Sequence, residues 1–378
     1  MKILVTGAKG FVGKNLVYNL KNQGYSEIYE YDLDTDPASL DLFTRDCDFV
    51  YHLAGINTSK DPEVFMKTNL GSTETLLTSL KKNDNKAPVL FTSTAQVSVD
   101  NPYGRSKKAA EDLLLSYRSE TGSKVVICRL PTLFGKWCKP NYNSIVATLC
   151  HNIAHDLPLD FGNPYVEINL AYIGDVMADF INFLKDKEGN IFSSEKKGPG
   201  FYYFNIQPVY TFHLCEIIEM LNTFKKDRLN FLVPDVSDPF LKKLYSTYIT
   251  YLPVNQFNYP LKKREESHGF FAEFIKTPEK SQIGVEVTKP GKTSTSHWHN
   301  TKCGKFLVVS GTGIISFRRA DQEETVEYQV RGENMEIVDV PPGFIHSVTN
   351  NGDTDLVTLI WFNEPVDSNG PDSIYPEV

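Results

Sequence analysis

The chain has 378 residues, 41% hydrophobic and 23% charged, which is ordinary for a globular protein and long enough for two domains with separate cores. Acidic residues outnumber basic ones for a formal net charge of -8, a balance that speaks against a nucleic-acid or anionic-membrane partner. No apolar run approaches the roughly 20 residues needed to span a bilayer, residues 1–7 open a strand rather than a signal peptide, and six scattered cysteines fit free thiols in a reducing cytoplasm.

The first half alternates short apolar runs with helical patterns. Strands are predicted at 2–6, 28–31, 49–53, 89–93 and 124–130, and helices at 14–22, 73–82 and 107–120. That alternation argues a Rossmann-type, doubly wound parallel sheet. Gly7, Gly10 and Gly13 stand between the first strand and the first helix, with Phe11 and Val12 at the helix start. Glycines there let backbone approach a pyrophosphate, and the helix N-terminus offers free N–H donors. Asp32 ends the second strand. A carboxylate at that place accepts ribose hydroxyls and repels a 2′-phosphate, which leans the site toward NAD.

Tyr103 and Lys107 are four apart and share one helix face. A phenol has an unperturbed pKa of about 10, and an ammonium beside it makes it a usable proton carrier. Upstream, the strand at 89–93 runs into hydroxyls. Thr94 is placed to hydrogen-bond a substrate carbonyl, with Ser93 as the alternative.

These pieces together resemble the short-chain dehydrogenase/reductase superfamily in its extended, nucleotide-sugar form. His52-Leu53-Ala54-Gly55 is similar to the loop along the cofactor, and Asn69 to an asparagine on the helix behind the site. The interval from Thr94 to Tyr103 is shorter than is usual in that group. With Asp100–Gly104 and the Leu133–Ser144 segment, it resembles a narrower family of bifunctional capsular-polysaccharide precursor enzymes, in which such a reductase is fused to a cupin. That resemblance covers essentially the whole chain. It implies a UDP-linked 4-keto-6-deoxy amino sugar as substrate, C3 epimerisation in the cupin, C4 reduction by NADPH or NADH, and a homodimer. It places Thr94, Tyr103 and Lys107 at the ketone and Lys107 on the nicotinamide ribose. Arg129 and Asn143 become candidate contacts to the sugar nucleotide.

The last third reads differently. Short β-rich runs at 283–287, 306–309, 313–317, 325–330, 336–340 and 356–362 are separated by Gly, Asn, Asp and Pro turns, the pattern of an antiparallel jelly roll or barrel. We expect a reductase domain over 1–245, a packed aromatic connector over 246–260 and a cupin over 261–378. His297 and His299 project to one strand face, and His346 follows a Pro-Pro-Gly turn. Three imidazoles facing one barrel are an ordinary set for Zn2+ or iron with an open position. The cupin spacing puts a glutamate ligand where this chain has Gly304. Cys303 is adjacent, yet in a regular strand it points the other way and substitutes only if a bulge re-aims it. Sugar-epimerising cupins also carry an Arg-Gly-x-Phe-x-Glu run, and here it begins with His268 and ends at Glu273. Three readings stand: both activities; a reductase alone, with an altered cupin serving dimerisation; and a non-catalytic dinucleotide sensor, which the Thr94, Tyr103 and Lys107 set disfavours.

Overall fold

A computed structural model describes residues 1–142, 144–185, 201–277, 281–364 and 372–375. Contacts divide the chain into two compact units, Met1–Leu221 with Ser246–Leu252, and Asn222–Tyr245 with Pro253–Val378. The stretch expected as a connector is thus divided between them. Within the first unit, Tyr251 is buried and donates its hydroxyl to the carbonyl of Cys138 at 2.6 Å.

In the first unit, strands Ile3–Thr6, Ile28–Tyr31, Phe49–His52, Val89–Thr94, Val125–Leu130 and Phe201–Phe204 form one sheet. Every pairing in it is parallel. Its central strands are buried along their whole length, as a sheet covered on both faces requires. On one face Leu16 and Leu20 pack with Met177 and Phe180. On the other, Leu76, Leu80, Ala110, Leu114 and Tyr117 form a second core. The sheet is therefore doubly wound, as the alternation predicts.

Helix ends differ from the predicted ones for local reasons. The first helix, Phe11–Asn22, starts directly after Gly10. The helix predicted from residue 107 begins at Pro102 instead, because the Asn101 side chain accepts from Gly104 N–H and Pro102 fits the first turn. It ends where Gly122 takes a left-handed φ of 77°.

The second unit is antiparallel. Strands Lys263–Glu266, Gly269–Lys276, Gln282–Thr288, Leu356–Phe362, Gly304–Ser310 and Ile337–Val340 form one sheet in that order, and Thr325–Arg331, Thr312–Arg319 and Phe344–Asn350 another. Phe271, Phe306, Val308, Ile315, Phe317, Val348 and Ile360 make the core they enclose, the layered arrangement of a jelly roll. The hairpin strand Lys263–Glu266 escapes the apolar pattern because it is a largely exposed run of charged residues. Among the described residues no helix is long and apolar enough to cross a membrane. All six cysteines are free thiols.

Candidate active sites

The first site is built on the first turn and the end of the fourth strand. Gly7 has φ of 69°, and a Cβ on it would come within 2.8 Å of the Ala54 backbone. One on Gly13 would meet the Gly7 carbonyl at 2.1 Å. Only glycines let this turn lie against the helix. No side chain caps the helix at Gly10, so its first N–H groups stay free for an anion, with Phe11 and Val12 in the opening turn. Asp32 accepts from Lys9 N–H at 2.7 Å and from Leu33 N–H at 2.8 Å, which fixes its carboxylate beside the turn.

The loop Leu53-Ala54-Gly55 is tied down from below. Leu53 N–H bonds the Thr6 carbonyl, and Ala54 N–H bonds the Thr6 hydroxyl. His52 bridges Thr6 and Thr73 at 2.7 and 2.9 Å, and burial holds its pKa down to about 3, so it is a neutral brace. Asn69 locks the next residue, exchanging two hydrogen bonds with the Ile56 backbone and donating a third to Ser106.

A single 3-10 turn, Ala95–Ser98, bridges the short interval from Thr94 to the helix carrying Tyr103 and Lys107. Gly104 permits this, since a Cβ there would sit 2.3 Å from the Gln96 carbonyl. Burial raises the Tyr103 phenol pKa, and the Thr94 side chain beside it opposes the rise. Lys107 is buried and donates to the Thr92 carbonyl at 2.9 Å. That bond fixes the ammonium against the fourth strand. Burial lowers the Lys107 pKa to about 8, against the pull of Glu111.

Glu111, which sequence reasoning missed, organises the other side. Its fully buried carboxylate accepts from Ser93 at 2.6 Å and from the Arg129 guanidinium at 3.0 and 2.7 Å. The guanidinium also stacks over Tyr203. Of the two candidate hydroxyls, Thr94 thus faces Tyr103 and Ser93 is engaged with Glu111. The signal was present: Glu111 lies one helical turn beyond Lys107 on the same face. Asn143 lies outside the described residues.

The second site is in the barrel. His297, His299 and His346 each place one ring nitrogen within 4.8 Å of the others. The Nδ1 atoms bond backbone carbonyls of Thr295, Asp372 and Phe344 at 2.9, 2.7 and 3.2 Å. A carbonyl only accepts, so each Nδ1 carries the proton and each Nε2 a lone pair. The Nε2 atoms of His299 and His346 are buried without a partner. Burial holds their pKa values down to about 4 and about 3 and lowers that of His297. Neutral, orphaned and convergent imidazoles fit a divalent metal ion. Asp372, another residue not anticipated, also accepts from the N–H groups of Asn300, Thr301 and Lys302.

Gly304 is not beside an empty slot. A Cβ there would meet the Phe362 ring at 2.7 Å, and that ring packs edge-on to His299. Cys303 is outside the imidazole cluster, its N–H bonded to the Asn363 side chain. His268 is buried and its Nε2 bonds Glu286 at 2.6 Å, which raises its pKa. Glu273 pairs with Lys276.

A turn for phosphates joined to a Thr–Tyr–Lys set defines a nicotinamide-dependent reductase of the short-chain type. Comparisons agree. Residues 3–192 match the NAD dependent epimerase/dehydratase family and residues 264–374 the polysaccharide biosynthesis C-terminal domain. A UDP-2-acetamido-2,6-beta-L-arabino-hexul-4-ose reductase from Pseudomonas aeruginosa is 38% identical over 99% of this chain and 98% of its own. The structure of the capsular polysaccharide assembling protein CapF from Staphylococcus aureus matches all of both chains at 40% identity, TM-score 0.88. A UDP-glucose 4-epimerase of Thermus thermophilus in complex with NAD shares the fold over 60% of this chain and 84% of its own, at 21% identity and TM-score 0.50. The chain belongs to the NAD dependent epimerase/dehydratase family and, over its full length, to the family of CapF. It is an enzyme that uses a nicotinamide dinucleotide.

Proposed function

We propose that the chain acts twice on a UDP-linked 4-keto-6-deoxy-N-acetylhexosamine. The second unit inverts C3, and the first reduces the C4 ketone, giving UDP-N-acetyl-6-deoxy-L-talosamine. The full-length likeness to a UDP-hexulose reductase supports this substrate class. The observation that carries the reductase half is Tyr103 placed beside Thr94 and one helical turn from buried Lys107.

When bound, the dinucleotide supplies hydride to C4. Tyr103, held protonated by its surroundings, gives its proton to the developing alkoxide while Thr94 hydrogen-bonds the same oxygen. Lys107 holds the nicotinamide ribose, and Asp32 takes the adenosine ribose hydroxyls, favouring NADH over NADPH. In the barrel, the three imidazoles would hold Zn2+, whose charge favours an enolate. Replacing Tyr103 by Phe should slow NAD(P)H oxidation with the 4-keto sugar by about 10²–10⁴-fold; unchanged turnover sinks the reductase assignment.

A second reading keeps the reductase and gives the barrel only a role in a homodimer. The Phe362 ring over Gly304, where related sites have a carboxylate, favours it. Solvent deuterium entering C3 without dinucleotide separates the two. We place the enzyme in the cytoplasm, where its free thiols persist.

A further inference from the structure

We propose that Glu286, positioned by His268, is the base that removes the C3 proton. This rests on the epimerase reading and deepens it.

Register places Glu286 inside the barrel. It lies opposite core residue Phe271 on one neighbouring strand and opposite Thr358 on the other, and directly paired residues share a face. Thr288 is two residues on and so on the same face. A carboxylate beside an apolar core is costly unless something pairs with it. Here His268 does so through one oxygen, Oε1, at 2.6 Å. The other oxygen has no hydrogen bond and is not sealed from solvent. That leaves one oxygen anchored and one free, the arrangement a general base needs.

The surroundings are unfinished in the same way. The hydroxyls of Thr288 and Thr358 and Nδ1 of His268 are buried without any partner. Buried polar atoms are nearly always paired. These three have no exposed surface, so they form a polar wall behind the carboxylate and leave its free oxygen as the group open to a substrate. Thr358, opposite Glu286, shares its strand face with Phe362, whose ring packs against His299, so this cluster and the three imidazoles face one interior.

The step balances as follows. The free oxygen of Glu286 takes the C3 proton, and the C3–H electron pair forms the C3=C4 bond, leaving the charge on O4. A water molecule on the opposite face returns a proton to C3 as the ketone re-forms. The hydroxide left behind accepts the proton from Glu286, restoring carboxylate and water. C3 is inverted and carries a solvent hydrogen.

The test uses the full chain with the 4-keto sugar in D2O without dinucleotide, following the C3 proton by NMR. Glu286→Gln should cut exchange about 100-fold or more, with bound metal per chain unchanged. Glu286→Asp should retain part of the activity, which separates chemistry from folding. His268→Asn should lower exchange less and act on kcat while leaving KM unchanged, a split that mere structural support would not cause. If Glu286→Gln exchanges at the wild-type rate, the pair is structural and the assignment is overturned. If the wild-type protein incorporates no deuterium, the epimerase reading itself fails.

Discussion

At the scale of single residues, burial moves Tyr103 and Lys107 in opposite directions. Burial keeps the phenol protonated above its ordinary value and draws the ammonium down to about 8. The proposed ketone reduction would consume the phenol proton and need the ammonium on the ribose. The value of kcat/KM should therefore be flat through neutral pH and fall as pH rises past about 8; a profile still climbing at higher pH would contradict these roles. Asp32 is tested by the coenzyme pair. We expect NADH to be preferred, and Asp32→Asn to narrow the ratio of kcat/KM values for NADH and NADPH by about tenfold, the worth of roughly one charged contact. These residues were legible because each is fixed by a strand end or by a four-residue spacing. Glu286 was not, since its partner His268 is distant in sequence and a lone glutamate carries no signature; Glu111 was marked only by its place one turn beyond Lys107, not by its partner Arg129.

At the scale of elements, the strand Gly304–Ser310 meets Leu356–Phe362 with Gly304 opposite Phe362. Gly304 has no left-handed φ, so what it provides is space, and Phe362 occupies it. The space beside Gly304 is thus filled from a strand that reads only as apolar. Gly304→Glu alone should clash, lower the melting temperature and bind zinc no better than wild type. Adding Phe362→Ala should relieve the clash and tighten zinc binding by tenfold or more. Metal competition with a chromogenic chelator measures both. A single Gly304→Glu substitution that binds as tightly as the double would show that the ring is no obstacle. The sequence marks the place of this change plainly and leaves its cause unread, because cross-strand partners depend on register.

At the scale of the whole molecule, the strand–helix alternation of the first half and the short β runs of the last third foretell both folds. The route of the chain between them is less legible. Helices Leu214–Leu229 and Pro239–Ile249 each cross a division between the two units, and nothing in a helical pattern says which core its face joins. The two chemistries should nonetheless be separable. Tyr103→Phe should retain deuterium incorporation at C3 and lose reduction, while His346→Ala should lose incorporation and retain dinucleotide binding, measured by nicotinamide fluorescence. Loss of both in either variant would mean that the activities are not independent.

The carbonyl that sets the His299 tautomer belongs to Asp372, and the short pairing of Trp298–His299 with Ser373–Ile374 holds it there. During synthesis the other two imidazoles emerge with their carbonyl partners already beside them in the chain, whereas His299 must wait for Asp372. The third lone pair is aimed only once translation has passed that residue. A metal held as proposed would thus depend on Asp372: without it His299 keeps its place and loses the carbonyl that orients its ring.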